Sequence, residues 1–145
     1  MNRGASARIA VLRGMHFALI DTVLELDDSR VLAVKNVTRA EEYLGDHFPG
    51  FPVLPGVFML EALVQASRRL LERSGRGEWV LGEVRALRYG SFVRPGEALR
   101  VEVTAEGDGE GASRSFKGVA SVIRGGAAAE TAVSGRFTMR PPRVG

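Results

Sequence analysis

His47 and Glu61 are the residues of this chain whose types and spacing could do chemistry. Glu61 follows His47 by fourteen positions, with prolines at 49, 52 and 55 between them and a Pro55-Gly56-Val57 step leading into an apolar run. A neutral imidazole accepts a proton near neutral pH, and a carboxyl kept protonated by apolar surroundings donates one. Such a carboxyl, if ionised and unpaired on an apolar helix, would carry a large desolvation cost. Held by a stiff connector, the two groups are the parts of an acid/base pair. Each alone has a plainer reading: a lone histidine is usually structural, and Glu61 has many arginines with which to form a buried ion pair. A metal site is poorly supported, because His47 with Asp46 falls short of the three or four ligands zinc requires.

Three further positions belong to this stretch. Gln65 lies one helical turn beyond Glu61 on the same face, so it either orients that carboxyl or caps a buried polar patch. Gly56 and Val57 open the helix, where backbone N–H groups have no intrahelical partner. With the positive end of the helix dipole, those donors can polarise a carbonyl. Gly56 also suits a tight turn, and both roles can hold together. His16 has no partner motif and reads as structural.

The segment HFPGFPVLPGVFMLEALVQ resembles the β-hydroxyacyl-acyl-carrier-protein dehydratases of fatty acid synthesis. His47, Phe48, Pro49, Gly50, Pro52, Pro55, Gly56, Val57, Glu61, Ala62 and Gln65 carry the resemblance, and Ala33–Val37, Pro95-Gly96-Glu97 and Phe116–Ala120 extend it. Glu61, rather than aspartate, points to the simple dehydratase branch and away from the decanoyl dehydratase/isomerase branch. Three departures stand out. Leu12-Arg13-Gly14 replaces a Pro-His-Arg stretch, Asp46 replaces a glycine before the histidine, and Ser91-Phe92 replaces an Arg-Pro step. Asp46 would raise the basicity of His47 by attraction through space.

The resemblance implies an α+β hotdog fold, an antiparallel six-stranded sheet wrapped around a long central helix. It implies loss of water from a (3R)-3-hydroxyacyl thioester to give the trans-2-enoyl thioester. His47 would be the base, Glu61 the acid, and the N–H groups of Gly56 and Val57 the cradle for the thioester carbonyl oxygen. No cofactor or metal is implied, since the substrate arrives on a phosphopantetheine arm of acyl carrier protein or coenzyme A. It also implies a homodimer with shared active sites, for which a trimer of dimers is a compatible higher assembly. An acyl chain needs an apolar channel, because each buried CH₂ contributes roughly 0.8 kcal/mol. Phe51, Val53, Leu54, Phe58, Tyr89 and Phe92 are the best-placed lining residues, and ordinary core packing is the alternative for each. A hotdog thioesterase, a non-catalytic acyl-binding subunit, or a dehydratase of a specialised polyketide or polyene pathway are the other readings.

The elements that must position these groups can be read from pattern. At 145 residues the chain reads as one domain, 1–145, with 45% hydrophobic and 26% charged residues suiting a globular protein. Strands are expected over 17–26, 30–37, 78–88, 97–106, 113–124 and 128–140, and a buried helix from Gly56 to Ser74 stopped by Gly75 and Gly77. Residues 39–55 form a long connection with a helical turn at 40–44. The prolines there make rigidity its purpose. Arg13, His16, Asp21 and Glu25 interrupt the apolar stretch 9–26, so no membrane span or signal peptide is read, and the cytoplasm is the expected location. Zero cysteines exclude disulfides and thiolate nucleophiles. The net charge of +3 rests on 20 basic residues scattered along the chain, which argues against nucleic-acid binding.

Overall fold

The computed structural model describes residues 19–37, 53–107 and 111–143. Six strands and one helix follow in chain order: β1 (Thr22–Leu26), β2 (Arg30–Asn36), α1 (Gly56–Glu72), β3 (Val80–Tyr89), β4 (Ala98–Glu106), β5 (Arg114–Arg124) and β6 (Ala127–Arg140). All pair antiparallel in one sheet of order β1-β2-β4-β5-β6-β3. This is the hotdog architecture, with β1 and β3 as its edges.

Period-two alternation builds the sheet's inner face. Leu99, Val101 and Val103 of β4, Phe116, Ala120 and Val122 of β5, and Val133, Phe137 and Met139 of β6 are almost wholly buried. The rings of Phe116 and Phe137 stack across the β5–β6 pair with centroids 5.6 Å apart. Helix α1 lies against β2, β4, β5 and β6. Its buried side includes Ala62, Leu63, Ala66 and Leu70, which recur at three- and four-residue spacing. Gly118 lets helix and sheet approach: a Cβ there would stand 3.0 Å from both terminal methyls of Leu63.

The helix ends at Glu72, two residues before the expected Ser74, and Gly75 follows at φ 75°, where glycine is the least strained residue. Leu70 and Leu71 stay buried beside exposed Arg69, Glu72 and Arg73, so only one face of this end reaches water. The first three turns are not buried all round either. Val57 is 63% exposed, and Phe58 and Leu60 are half-buried, because a single sheet covers one side of a helix. Of the expected strand 17–26, residues 17 and 18 lie outside the described residues, 19–21 carry no strand, and β1 runs from Thr22 to Leu26. The Leu19 N–H is instead drawn to a side chain of α1. The expected helical turn at 40–44, His16, His47 and Phe51 lie outside the described residues.

Candidate active site

Glu61 sits half-buried on α1, between the sheet-covered side of the helix and its open face. Gln65, one turn on, donates from Nε2 to Glu61 Oε2 at 3.3 Å. Gln65 is itself held, because its Oε1 accepts the Leu19 N–H at 2.8 Å. That bond fixes which end of the amide faces Glu61, so the carboxyl meets a donor and not a second oxygen. The contact with Glu61 is one that the orienting role of Gln65 requires, and the bond to Leu19 is one that the capping of a half-buried polar patch requires. Leu19 gave no signal of this contact in the sequence, since it makes the contact through its backbone N–H while its side chain is buried in the core.

The start of α1 follows from Pro55, which is extended at φ −62°, ψ 144° and has no side chain able to cap the helix. Its carbonyl accepts the N–H groups of Phe58 and Met59 at 3.0 and 3.3 Å. The N–H groups of Gly56 and Val57 have no partner among the described residues. They carry the positive end of the helix dipole.

Beside this terminus lies a mostly apolar cleft of about 220 Å³, lined by Val53, Leu54, Gly56, Met59, Tyr89, Gly90, Ser91, Phe92 and Ala132. Val53, Leu54, Tyr89 and Phe92 thus converge from two distant stretches of chain. Phe58 does not line the cleft and packs, half-buried, against the core. Met59, Gly90, Ser91 and Ala132 join the lining without having been expected from sequence. The Tyr89 ring covers Gly56 so closely that a Cβ there would lie 3.0 Å from it, which accounts for glycine at this helix start. Burial pushes the Tyr89 phenol upward. Glu61 is not part of the lining. It stands five residues, about 140°, around the helix from Gly56 and shares a stripe with Val57 and Gln65.

The loop from Gly90 to Glu97, which supplies Ser91 and Phe92 to the cleft, is tied to β5 and β6. Arg124 donates from Nε to Glu97 Oε2 at 2.7 Å, from Nη1 to Glu130 Oε1 at 3.1 Å, and from Nη2 to the Phe92 carbonyl at 3.1 Å. The Ser91 hydroxyl donates to the same Glu130 oxygen. Partial burial would raise the Glu97 carboxyl, but the Arg94 N–H and the Arg124 guanidinium outweigh it and hold the group below its usual range. The Ser91 hydroxyl, and then Arg124, do the same for Glu130.

Comparison with known proteins gives a consistent picture. The ApeI-like family, described as ApeI dehydratase, matches residues 24–124, a span that includes His47 and Glu61. The 3-hydroxyacyl-acyl-carrier-protein dehydratase FabZ of Erwinia tasmaniensis is 42% identical over 112 residues, covering 73% of this chain and 74% of that protein. The FabZ of Bacillus cereus is also 42% identical, over 92 residues, 60% of this chain and 63% of the relative. The chain therefore spans a little under two thirds of that second relative. Among solved structures, the dehydratase heterocomplex ApeI:P from Xenorhabdus doucetiae superposes with a TM-score of 0.67 at 22% identity, over 87% of this chain and 84% of that one. A hypothetical thioesterase with coenzyme A from Streptococcus pneumoniae gives 0.63 at 12% identity, over 81% and 82%. The two structures share the fold.

Proposed function

Since the chain belongs to the ApeI-like dehydratases and, with them, to the β-hydroxyacyl-acyl-carrier-protein dehydratase family, we propose that it converts (3R)-3-hydroxyacyl thioesters carried on acyl carrier protein to trans-2-enoyl thioesters and water. The observation that carries this reading is the Glu61 carboxyl held by the Gln65 amide, on a helix whose open N-terminus borders an apolar cleft. His47 removes the proton from the carbon next to the thioester carbonyl. The Gly56 and Val57 N–H groups take the charge that builds on the carbonyl oxygen. Glu61 accepts a hydrogen bond at Oε2 and delivers its proton from the other oxygen to the departing hydroxyl, which leaves as water. Val53, Leu54, Tyr89 and Phe92 receive the acyl chain. Both proton transfers use side chains, so the reaction asks for no redox group or metal.

Carrier-bound substrates are favoured over coenzyme A thioesters by the names of the FabZ relatives. Their role supports a place in fatty acid synthesis, while the match to ApeI dehydratase keeps a specialised pathway as the second reading. The uncovered Val57 and the half-buried Phe58 support a homodimer in which His47 of one subunit faces Glu61 of the other. Incubation with 3-hydroxyacyl thioesters tests the reaction. Appearance of the enoyl thioester, with the thioester bond intact, is the expected result. Release of free thiol from acyl thioesters that lack the 3-hydroxyl, with no enoyl product, would make the protein a thioesterase instead.

A further inference from the structure

We propose that the outer face of the sheet carries a binding site for phosphate monoesters, built by Arg88, Lys117, Arg136 and Ser134. A groove of about 240 Å³ opens there, lined by those four residues and by Ala86, Gly118 and Gly135. Among the described residues no acid lines it. Helix α1 lies on the other face of the sheet. Phe116 and Phe137, the chain neighbours of Lys117 and Arg136, are buried on that side, and Gly118 faces Leu63 of the helix. The site uses neither Glu61 nor the apolar cleft, so it goes beyond the reaction proposed above.

Strand register brings the charges together. Lys117 of β5 stands opposite Arg136 of β6, and Arg136 stands opposite Arg85 of β3. Arg88 stands opposite Ser134, in the next outward row. All four cations are exposed. Like charges directly opposite one another on one face destabilise a sheet. Pairing with acids relieves only part of this. Arg136 donates from Nε to Glu106 at 3.2 Å, whereas the side chains of Arg85, Arg88 and Lys117 make no hydrogen bond or ion pair among the described residues. The nearby acid Glu102 is taken by Arg30 at 2.6 Å. Arg88 and Lys117 thus bring two unneutralised positive charges to the groove, with the Ser134 hydroxyl beside Arg88.

The backbone departs from regular geometry to complete this set. In a regular strand Arg85 and Arg88, three positions apart, would point to opposite faces. Here the register shifts between them, and Ala86 and Leu87 stand where β6 has Gly135 alone. Ala86 takes φ 54°, in the left-handed region that strains any residue but glycine. Leu87 consequently packs against the core, and Arg88 joins Arg85 on the outer face. A strained bulge that adds a cation to a face already crowded with three lowers stability, and an anion held among them offsets that cost. Bulges that re-aim a side chain are over-represented beside functional sites. A phosphate monoester suits this one. Its oxygens accept charge-assisted hydrogen bonds from guanidinium and ammonium groups, and its charge of about −2 at neutral pH matches Arg88 and Lys117.

The test is calorimetric titration of the full-length protein with inorganic phosphate and with methyl phosphate, the ionic strength held constant with sodium chloride. Both should bind saturably, with a Kd of about 1 mM. Arg88→Gln and Lys117→Gln should each weaken binding about tenfold, the worth of one charge-assisted hydrogen bond. Glu106→Gln, which releases Arg136 to the groove, should tighten binding severalfold, a gain that a misfolded variant does not give. Arg100→Gln, on the same face of β4 but outside the groove, should leave the affinity unchanged. No saturable binding by wild type, or the same loss in Arg100→Gln as in Arg88→Gln and Lys117→Gln, would overturn the proposal. Retention on phosphatidic acid vesicles without any response to the two soluble phosphates would overturn it as well, because the face would then be a membrane contact.

Discussion

Glu61 accepts the Gln65 amide at one carboxyl oxygen, and in the proposed mechanism the other oxygen carries the proton, so the two residues should fail differently when altered. Glu61→Gln and His47→Ala should each lower turnover of a 3-hydroxyacyl thioester by at least ~10²-fold, the usual worth of a general acid or base. Circular dichroism should show both variants folded. Near-normal turnover by either would remove that residue from the pair. Gln65→Leu keeps the bulk but removes the donor to Glu61 and orphans the Leu19 N–H. A buried donor left without a partner costs about 1–3 kcal/mol, so this variant should lose both turnover and melting temperature. Loss of melting temperature without loss of turnover would make Gln65 purely structural.

At the scale of elements, the helix-to-sheet contact and the ties of the 90–97 loop have separate signatures. Gly118→Ala forces the packed Leu63 methyls to move, because the new Cβ would sit 3.0 Å from them. Overpacking of this kind costs about 1–3 kcal/mol, readable as a lower urea midpoint with the slope unchanged. The loop ties respond to pH instead. Glu97 and Glu130 are held below the ordinary carboxylate value of 4.5, so both are ionised in the folded protein at pH values where the unfolded chain has begun to take up protons. Their contribution to stability is complete above that ordinary value and is lost as pH falls through the depressed folded values. Melting curves should therefore separate wild type from Glu97→Gln above about pH 5, and the gap should close on acidification. A gap that stays constant down to pH 3 would mean that Glu97 contributes by packing rather than charge.

For the whole molecule the question is what meets the open face of α1. In a homodimer with shared sites, mixing the inactive His47→Ala and Glu61→Gln proteins should restore part of the activity, because mixed dimers hold one intact His47–Glu61 pair. Sedimentation should show a dimer or a multiple of one. A fully active monomer would rule the shared site out, and the exposed Val57 would then be an ordinary surface residue.

The elements were legible in the chain because their signals are local. Alternation with period two marks β4 and β5, three- and four-residue spacing marks α1, and Pro55 and Gly75 mark its ends. The placing of Glu61 and Gln65 on one face needed only the helical repeat. Other features were decided by the tertiary structure, because they join residues far apart in sequence through groups that leave no local pattern. The Leu19 backbone N–H bonds to Gln65, 46 positions away. The cleft gathers Val53, Leu54, Gly56 and Met59, residues 89–92 and Ala132 into one wall. Arg124 was one arginine among 18, with nothing in its neighbours to set it apart. Only the register of β5 against β6, which brings Val122 opposite Glu130 and Arg124 opposite Ala127, sets its guanidinium between Glu97, Glu130 and the loop that carries Phe92.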